Sequence, residues 1–412
     1  MRSLFVPLVT TLALLSEFSW GFSGTSTALR RSPIQLGNVG QPSISFSNPF
    51  NDSRKSPQLA PPTALNTASS ADASNTSEKV DINFKWALDP ETPSFPVVLW
   101  KFTRPHTIIG SALAIPALHI LAAPTLAAAF TGKALSAMAY AMVPALLMNL
   151  YITGLNQITD VEIDKINKPN LPIAAGHLTM RRATITVVVA LVASLMLGVA
   201  HPTFGTEGLN AALWLSGILG TVYSLPPFRL KRFPLMAAFC IVAVRGAVIN
   251  ASFFAHSYAA AYGGAAGASG SVIWNCLKNN NACFLSSAFF GVFGLVIALM
   301  KDVPDVKGDA QANVRTLSVR LGQKTIYTAM RRLLSASFFA VGAAFLRSAL
   351  AAPSKALMAG RIVTSIAAVA AAWSTRKEAQ GVDPENSLEV YNYYMHLWKL
   401  FYLSYLVLPF AR

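Results

Sequence analysis

Apolar runs of about twenty residues, the length a helix needs to cross a bilayer, recur from Thr107 to the C-terminus. Nine such runs fall near 107–129, 136–156, 183–200, 208–224, 234–256, 283–301, 326–351, 356–375 and 392–411. They predict an all-α polytopic membrane protein with nine transmembrane helices. Threading the chain through them puts most of the basic residues of 80–412, among them Arg104, Lys165, Lys168, Arg229, Lys231, Arg232, Lys307 and Arg315, on one side of the membrane, side A. The other side, B, receives Lys133, Lys278, Arg347, Lys355, Arg361 and Arg412. A basic excess of roughly three to one supports both the threading and an orientation with side A facing the cytoplasm or a plastid stroma.

The polar N-terminal region reads differently. Residues 1–21 carry a basic start at Arg2, an apolar stretch from Leu4 to Leu15 and small residues at Ser19 and Gly21. That is the form of a secretory signal, too short for an anchor. Residues 22–80 are rich in Ser, Thr, Ala and Pro, and carry Arg30, Arg31, Arg54 and Lys55 with no acid before Asp52. This is a transit-peptide composition, and also one that a disordered tail would have. The two in series resemble the bipartite presequence of algae with complex plastids, with Phe22 opening the transit part. Residues 81–106 then form an amphipathic lead-in to a membrane domain at 107–412.

Composition agrees with lipid as the solvent. Of the 412 residues 53% are hydrophobic and 12% charged, about half the charged share of a soluble domain. The formal charge of +15 fits basic loops on one membrane face. With no aromatic-basic stripe, no nucleic-acid partner is expected. Cys240, Cys276 and Cys283 match no metal spacing and read as small packing residues. A Cys276–Cys283 disulfide stays open if that loop meets an oxidising compartment.

The acids carry the chemistry. Between residues 101 and 377 there are seven, and six of them sit in two short segments. The first is Asn156-x3-Asp160-x3-Asp164, the second Asp302-x2-Asp305-x3-Asp309, and both open onto side A. The spacings put each set on one face of a helix. An Asp at bilayer depth costs about 2.5–3.5 kcal/mol, so such a row faces water or a cation. Mg²⁺ suits two facing rows, because it takes a few carboxylates and completes its octahedron with water and phosphate oxygens. Asn156 adds a neutral amide oxygen. Around the acids stand Lys165, Lys168, Lys301 and Lys307, and on the same side the loop Tyr223-Ser-Leu-Pro-Pro-Phe-Arg229-Leu-Lys231-Arg232. Magnesium bridging with Lys and Arg clamps is how proteins hold diphosphate. Each basic residue taken alone also reads as a positive-inside anchor. Arg245 lies mid-span, where a charge holds a substrate carboxylate, one of the Asp rows or an internal salt bridge.

The two motifs together resemble the UbiA superfamily of intramembrane aromatic prenyltransferases. The longer strings Gly154-Leu-Asn-Gln-Ile-Thr-Asp-Val-Glu-Ile-Asp164, Lys301-Asp-Val-Pro-Asp-Val-Lys-Gly-Asp309 and Trp398-Lys-Leu-Phe-Tyr402 are similar to plastid and cyanobacterial homogentisate prenyltransferases over residues 95–412. The resemblance implies helices around a central cavity with the Asp motifs at its polar end. It implies Mg²⁺-diphosphate on Asn156, Asp160, Asp164, Asp305 and Asp309, with Asp302 beside them. Lys231 and Tyr223 would cover the diphosphate, and Arg104 would lie on the substrate side. The activity implied is prenyl transfer to homogentisate with loss of CO₂, in tocopherol or plastoquinone biosynthesis. Residues 154–172 and the closing string favour phytyl diphosphate as donor. Trp100–Thr107 and Val222–Pro234 also suit solanesyl diphosphate. A transporter would show inverted repeats or broken mid-span helices, and a phospholipid-type phosphotransferase an Asp-Gly-x2-Ala-Arg opening. Neither is read here.

Overall fold

The computed structural model describes residues 93–264, 270–311 and 314–411. The signal and transit-like segments at 1–80, and residues 81–92 of the lead-in, lie outside them. Every regular element among the described residues is helical. The long helices, with the short ones that carry the site, are α1 (Phe95–Phe102), α2 (Pro105–Ala122), α3 (Gly132–Thr159), α4 (Val161–Asn167), α5 (Met180–Ala200), α6 (Glu207–Ser224), α7 (Pro234–Ala260), α8 (Asn281–Lys301), α9 (Val306–Gln311), α10 (Gln323–Ala349), α11 (Lys355–Lys377) and α12 (Ser387–Val407). Each expected apolar run has one of these as its body, although the run 107–129 breaks after Ala122 and those ending at 351 and 411 outlast their helices. Seven are long and apolar enough to cross a membrane by length and composition. α6 and α12 fall outside that set, because Glu207 and Asn210 in one, and Glu389, His396 and Lys399 in the other, dilute their apolar content.

Local sequence sets where helices begin. Thr131, Thr179, Thr206, Asn280, Ser354 and Asn386 each accept a backbone N–H of the first turn, satisfying donors that a helix start leaves free. The packing follows membrane rules rather than burial of all apolar surface. On α5 the small face Ala183, Val187, Ala190, Ser194 and Gly198 is buried against α3. Ile185, Val189, Val192, Met196 and Val199 point outward, as lipid-facing residues do. Close approach with polar contacts is what joins helices in lipid, and Ser194 donates to the Pro144 carbonyl at 2.7 Å.

α8 is the central helix. Of its apolar window 72% is buried, against 28–44% in the other six spanning candidates. Across it lies α7, whose middle, Ala243–Val248, is a π-helical turn. A Cβ on Gly246 would come within 2.7 Å of the Gly291 Cα, so α7 and α8 touch backbone to backbone at this turn. α2, α3, α6, α7, α8 and α12 together enclose a cavity of about 220 Å³.

Candidate active site

Both acidic segments lie where a membrane helix ends. α3 stops at Thr159 with Asp160 as its C-cap, and the chain restarts as α4. α8 stops at Lys301 with Asp302 as its C-cap, and Asp305 precedes α9. Neither row therefore runs along one unbroken helical face, as the spacing predicts; each wraps a break. The reason is physical. A carboxylate opposes the negative end of a helix, and Pro304 cannot continue α8. The second turn is pinned from outside, by Gln323 Nε2 donating to the Val303 carbonyl at 2.7 Å and Ser387 Oγ to that of Pro304 at 3.1 Å.

The two segments meet. α9 packs on α4, and Gly308 N donates to Asn167 Oδ1 at 3.0 Å. Lys168 Nζ bridges from the first segment to Asp305 of the second. Asp160 takes Arg229 at 3.0 Å and Lys231 at 2.5 Å, and accepts Asn156 Nδ2 at 2.9 Å. Asp164 faces Arg104 at 3.8 Å, and Asp302 faces Lys301 at 3.4 Å. Tyr223 lies beside Lys301, and both line the cavity. Arg104 and Arg229 are the two non-glycine residues with positive φ among the described residues, at 51° and 38°. Such conformations cost energy and gather at functional sites; here they aim two guanidiniums at the first acidic row.

Charge compensation is uneven. Burial pushes Asp160 up, but Lys231 and Arg229 outweigh it and hold this carboxyl below its ordinary value. Burial pulls Lys231 down to about 8, with Asp160 opposing. Asp164 and Asp302 are each raised by burial despite their basic partners. Asp309 is pushed up to about 7 by burial and by the charges of Asp302 and Asp305.

Several sequence candidates stand apart. Lys165 pairs with Glu162 at 2.8 Å on the surface, and Arg232 is exposed. Arg104, expected on the acceptor side, is engaged with Asp164 while also lining the cavity. Arg245 lines the cavity too, deeper in. Cys240, Cys276 and Cys283 are buried free thiols. Residues given no role from sequence also line the cavity: His106, Asn149, Tyr394 and the motif residue Trp398. Tyr394 and Trp398 stand one turn apart on α12, and that i, i+4 aromatic pair was the available signal.

No cluster of three or more His, Cys, Asp or Glu able to hold a metal is assembled among the described residues, because Lys and Arg reach between the carboxylates. The donor set nevertheless fits a hard cation with an anion. Asp164 Oδ2, Arg104 Nε, Asn167 Nδ2 and Arg229 Nε are all buried without a hydrogen-bond partner. Buried polar atoms are seldom left so. One acceptor and three donors grouped around a single acidic row suit a metal-bound anion.

The fold and this site define a helical membrane protein with two joined acidic segments at the mouth of an apolar cavity. The UbiA prenyltransferase family profile matches residues 102–400, and the chain belongs to that family. It is 35% identical over 319 residues to homogentisate phytyltransferase 1, chloroplastic, of Arabidopsis thaliana, covering 76% of this chain and 75% of that one. It is 33% identical over 334 residues to homogentisate geranylgeranyltransferase of Triticum aestivum, covering 81% and 76%. To homogentisate solanesyltransferase, chloroplastic, of Arabidopsis thaliana it is 35% identical over 326 residues, covering 76% and 75%.

Proposed function

We propose that the protein transfers a phytyl group from phytyl diphosphate to homogentisate with decarboxylation, in tocopherol biosynthesis. The observation that carries the reading is the joining of the two acidic segments by Lys168 and Asn167 above one cavity. In this reading Asn156, Asp160, Asp164, Asp305 and Asp309, with Asp302 beside them, would hold Mg²⁺ and the diphosphate. When bound there, magnesium would supply Lewis-acid charge stabilisation to the departing diphosphate.

The chain's own residues do the rest. Lys168, Lys231, Lys301 and Arg229 border the anion's position with the Tyr223 hydroxyl, and the positive charge of the four bases stabilises the diphosphate as the C–O bond to the prenyl carbon breaks. Below them the cavity has two kinds of wall. Met148, Leu213, Ser216, Gly220 and Phe253, from α3, α6 and α7, are mostly apolar and would take the tail and keep water from the allylic cation. Arg245, Tyr394 and Trp398, from α7 and α12, would receive the acceptor ring. Its electron-rich carbon attacks the prenyl carbon, and the carboxymethyl arm then loses CO₂ to become a methyl. Arg104 and Arg245 are the basic residues on the acceptor side.

Phytyl is favoured by the strings at 154–172 and 398–402. Relatives named for phytyl, geranylgeranyl and solanesyl transfer match at 33–35% identity, so the donor rests on those strings. The same names, and the presequence form of residues 1–80, support a multi-pass protein of a plastid membrane, in an alga with a complex plastid. A fusion of residues 1–80 to a fluorescent protein should reach such a plastid, and Phe22→Ala should strand it outside; secretion of the unaltered fusion would refute the address.

The test of function is an assay of the full chain in membranes with homogentisate and each of the three labelled diphosphates. Decarboxylated prenyl quinol should form fastest with phytyl, disappear with EDTA and return with Mg²⁺. A solanesyl kcat/KM about tenfold above phytyl, roughly 1.4 kcal/mol, would move the protein to plastoquinone synthesis. No quinol with any donor would sink the acceptor assignment.

A further inference from the structure

Among the described residues Arg245 is the one Lys or Arg of the cavity wall with no carboxylate partner, since Arg104 faces Asp164 and Lys301 faces Asp302. It sits in the π-helical turn of α7, and among the described residues no carboxylate lies within salt-bridge distance of it. The ionisable groups around it are His106 and the hydroxyls of Tyr394, Tyr402 and Tyr405. Its guanidinium lies over the rings of Trp398 at 5.1 Å and Phe401 at 5.6 Å, which holds the plane by cation–π attraction while leaving its N–H fork unclaimed.

The surroundings are built to keep this fork in place. A Cβ on Gly294 would stand 2.9 Å from the Arg245 Cβ, and one on Gly110 would stand 3.6 Å from Nη1 and 3.2 Å from the Trp398 ring. The backbone carbonyls that a π turn leaves over are taken by Asn250 Nδ2, at 2.5 Å to Arg245 and 3.0 Å to Gly246. Asn250 Oδ1 in turn accepts the Tyr405 hydroxyl at 3.2 Å. π turns of this kind are frequent at functional positions. Beside the guanidinium, Trp398 Nε1–H is 98% buried as a residue, next to the Tyr394 hydroxyl, and donates no hydrogen bond of ordinary geometry. A charged fork and a buried donor thus share one corner of the cavity.

Depth separates this corner from the acidic rim. Gly110 follows Arg104 by six residues, which is about 9 Å along α2. Gly294 precedes Asp302 by eight, about 12 Å along α8. A diphosphate held at the rim does not reach this corner. One aromatic ring with a short acidic arm, lying between the two, does.

We propose that Arg245, assisted by Trp398 Nε1–H, reads the acceptor's carboxylate, and so both selects acid-bearing acceptors and releases the product once that acid is gone. This rests on the acceptor reading given above. In the reaction the ring forms its bond to the prenyl carbon and loses a proton. The arm's C–C bond to the carboxylate then breaks with its electron pair kept by the methylene carbon, which takes up a proton, and CO₂ leaves. The acceptor enters as an anion and leaves as a neutral methyl quinol. A guanidinium–carboxylate pair, bidentate and shielded from water, is among the stronger polar contacts. It exists for the substrate and not for the product, so affinity falls as turnover completes. The acceptor class is a dihydroxyaryl acetate, and its ester, amide and decarboxylated forms are bound more weakly than the acid.

The test uses the full chain in membranes, with Arg245→Gln and Arg245→Lys. In Arg245→Gln the KM for homogentisate should rise about tenfold or more, while that for phytyl diphosphate stays within about twofold. Competitive inhibition by methylhydroquinone, which lacks the acid, should be unchanged. Arg245→Lys should recover part of the loss, since it keeps the charge without the fork. A parallel weakening of methylhydroquinone and homogentisate would show a structural role and overturn the proposal, as would an unchanged homogentisate KM. A measurement on the unaltered protein guards against a variant that does not fold. The methyl ester of homogentisate should bind about tenfold or more weakly than the acid, and equal binding would overturn the proposal without any substitution. Homogentisate that binds in an Arg245-dependent way but is never prenylated would instead refute the acceptor reading and leave the carboxylate corner standing.

Discussion

The two acidic rows look alike in sequence and differ in charge. The first has two carboxylates, Asp160 and Asp164, with Arg104, Arg229 and Lys231 paired to them. The second has three, Asp302, Asp305 and Asp309, with Lys168 and Lys301. Row one is over-compensated, and Asp160 is held low. Row two is under-compensated, and Asp309 is pushed up to about 7. Burying either imbalance is costly unless a ligand of the opposite sign arrives. Row one, with unpartnered Arg104 and Arg229 nitrogens above it, is prepared for an anion. Row two is prepared for a cation. A metal diphosphate satisfies both at once, and neither component alone does.

The comparison breaks most sharply if the two rows behave identically. Asp305→Ala removes the partner of Lys168 and one oxygen donor of the cation-seeking row. Turnover should fall by about a thousandfold, and excess Mg²⁺ should recover part of it by mass action. Asp160→Ala should cost a similar amount but with no recovery, because it leaves Arg229 and Lys231 buried without their acid. Mg²⁺ titrations of both variants, in membranes shown to contain inserted protein, make the check. Equal rescue of both would refute the division of labour.

A smaller effect is expected from the anion-seeking side. Lys231→Ala should raise the KM for the prenyl diphosphate by about tenfold, the scale of one charge-assisted hydrogen bond, and leave the Mg²⁺ requirement unchanged. Lys165→Ala and Arg232→Ala should do neither, since one pairs with Glu162 at the surface and the other is exposed. Steady-state kinetics with donor and metal varied independently separate these outcomes. A shift in the Mg²⁺ requirement for Lys231→Ala would place it with row two.

How far the sequence could foresee this is clear residue by residue. Hydrophobic runs locate helices because lipid leaves the backbone no alternative partner, and each expected run is helical. Acids are so expensive in such a chain that two clusters announce a site. What could not be read is which base meets which acid. Lys165 and Lys168 are three residues apart at the end of α4, yet one faces solvent and the other crosses to Asp305. That choice depends on where α9 lands against α4, a tertiary event. The break in each row was half legible, since Pro304 announces the end of α8 and nothing comparable marks Asp160. Trp398 was visible as a motif residue, but its place beside Arg245 needs α12 packed on α2 and α8.

The finest way to sharpen the comparison is to move the rows apart without changing their charge. Asn167 Oδ1 accepts the Gly308 N–H at 3.0 Å, and a Cβ at Gly308 would stand 2.3 Å from that oxygen. The contact therefore requires glycine, and it sets the spacing between α4 and α9. Asn167→Ala deletes one buried hydrogen bond, worth about 1 kcal/mol, and leaves a backbone donor exposed to water or unpaired. Gly308→Ala adds a methyl that displaces the Asn167 amide and so breaks the same contact. Both keep every carboxylate and every base. If the rows act as a pair across a shared ligand, each variant should raise the KM for donor and for Mg²⁺ together, by about three- to fivefold, with kcat less affected. If each row bound its own component independently, spreading them would change neither constant. Measuring the two constants in both variants decides between these, because both break the Asn167–Gly308 contact between the segments and leave every charge in place.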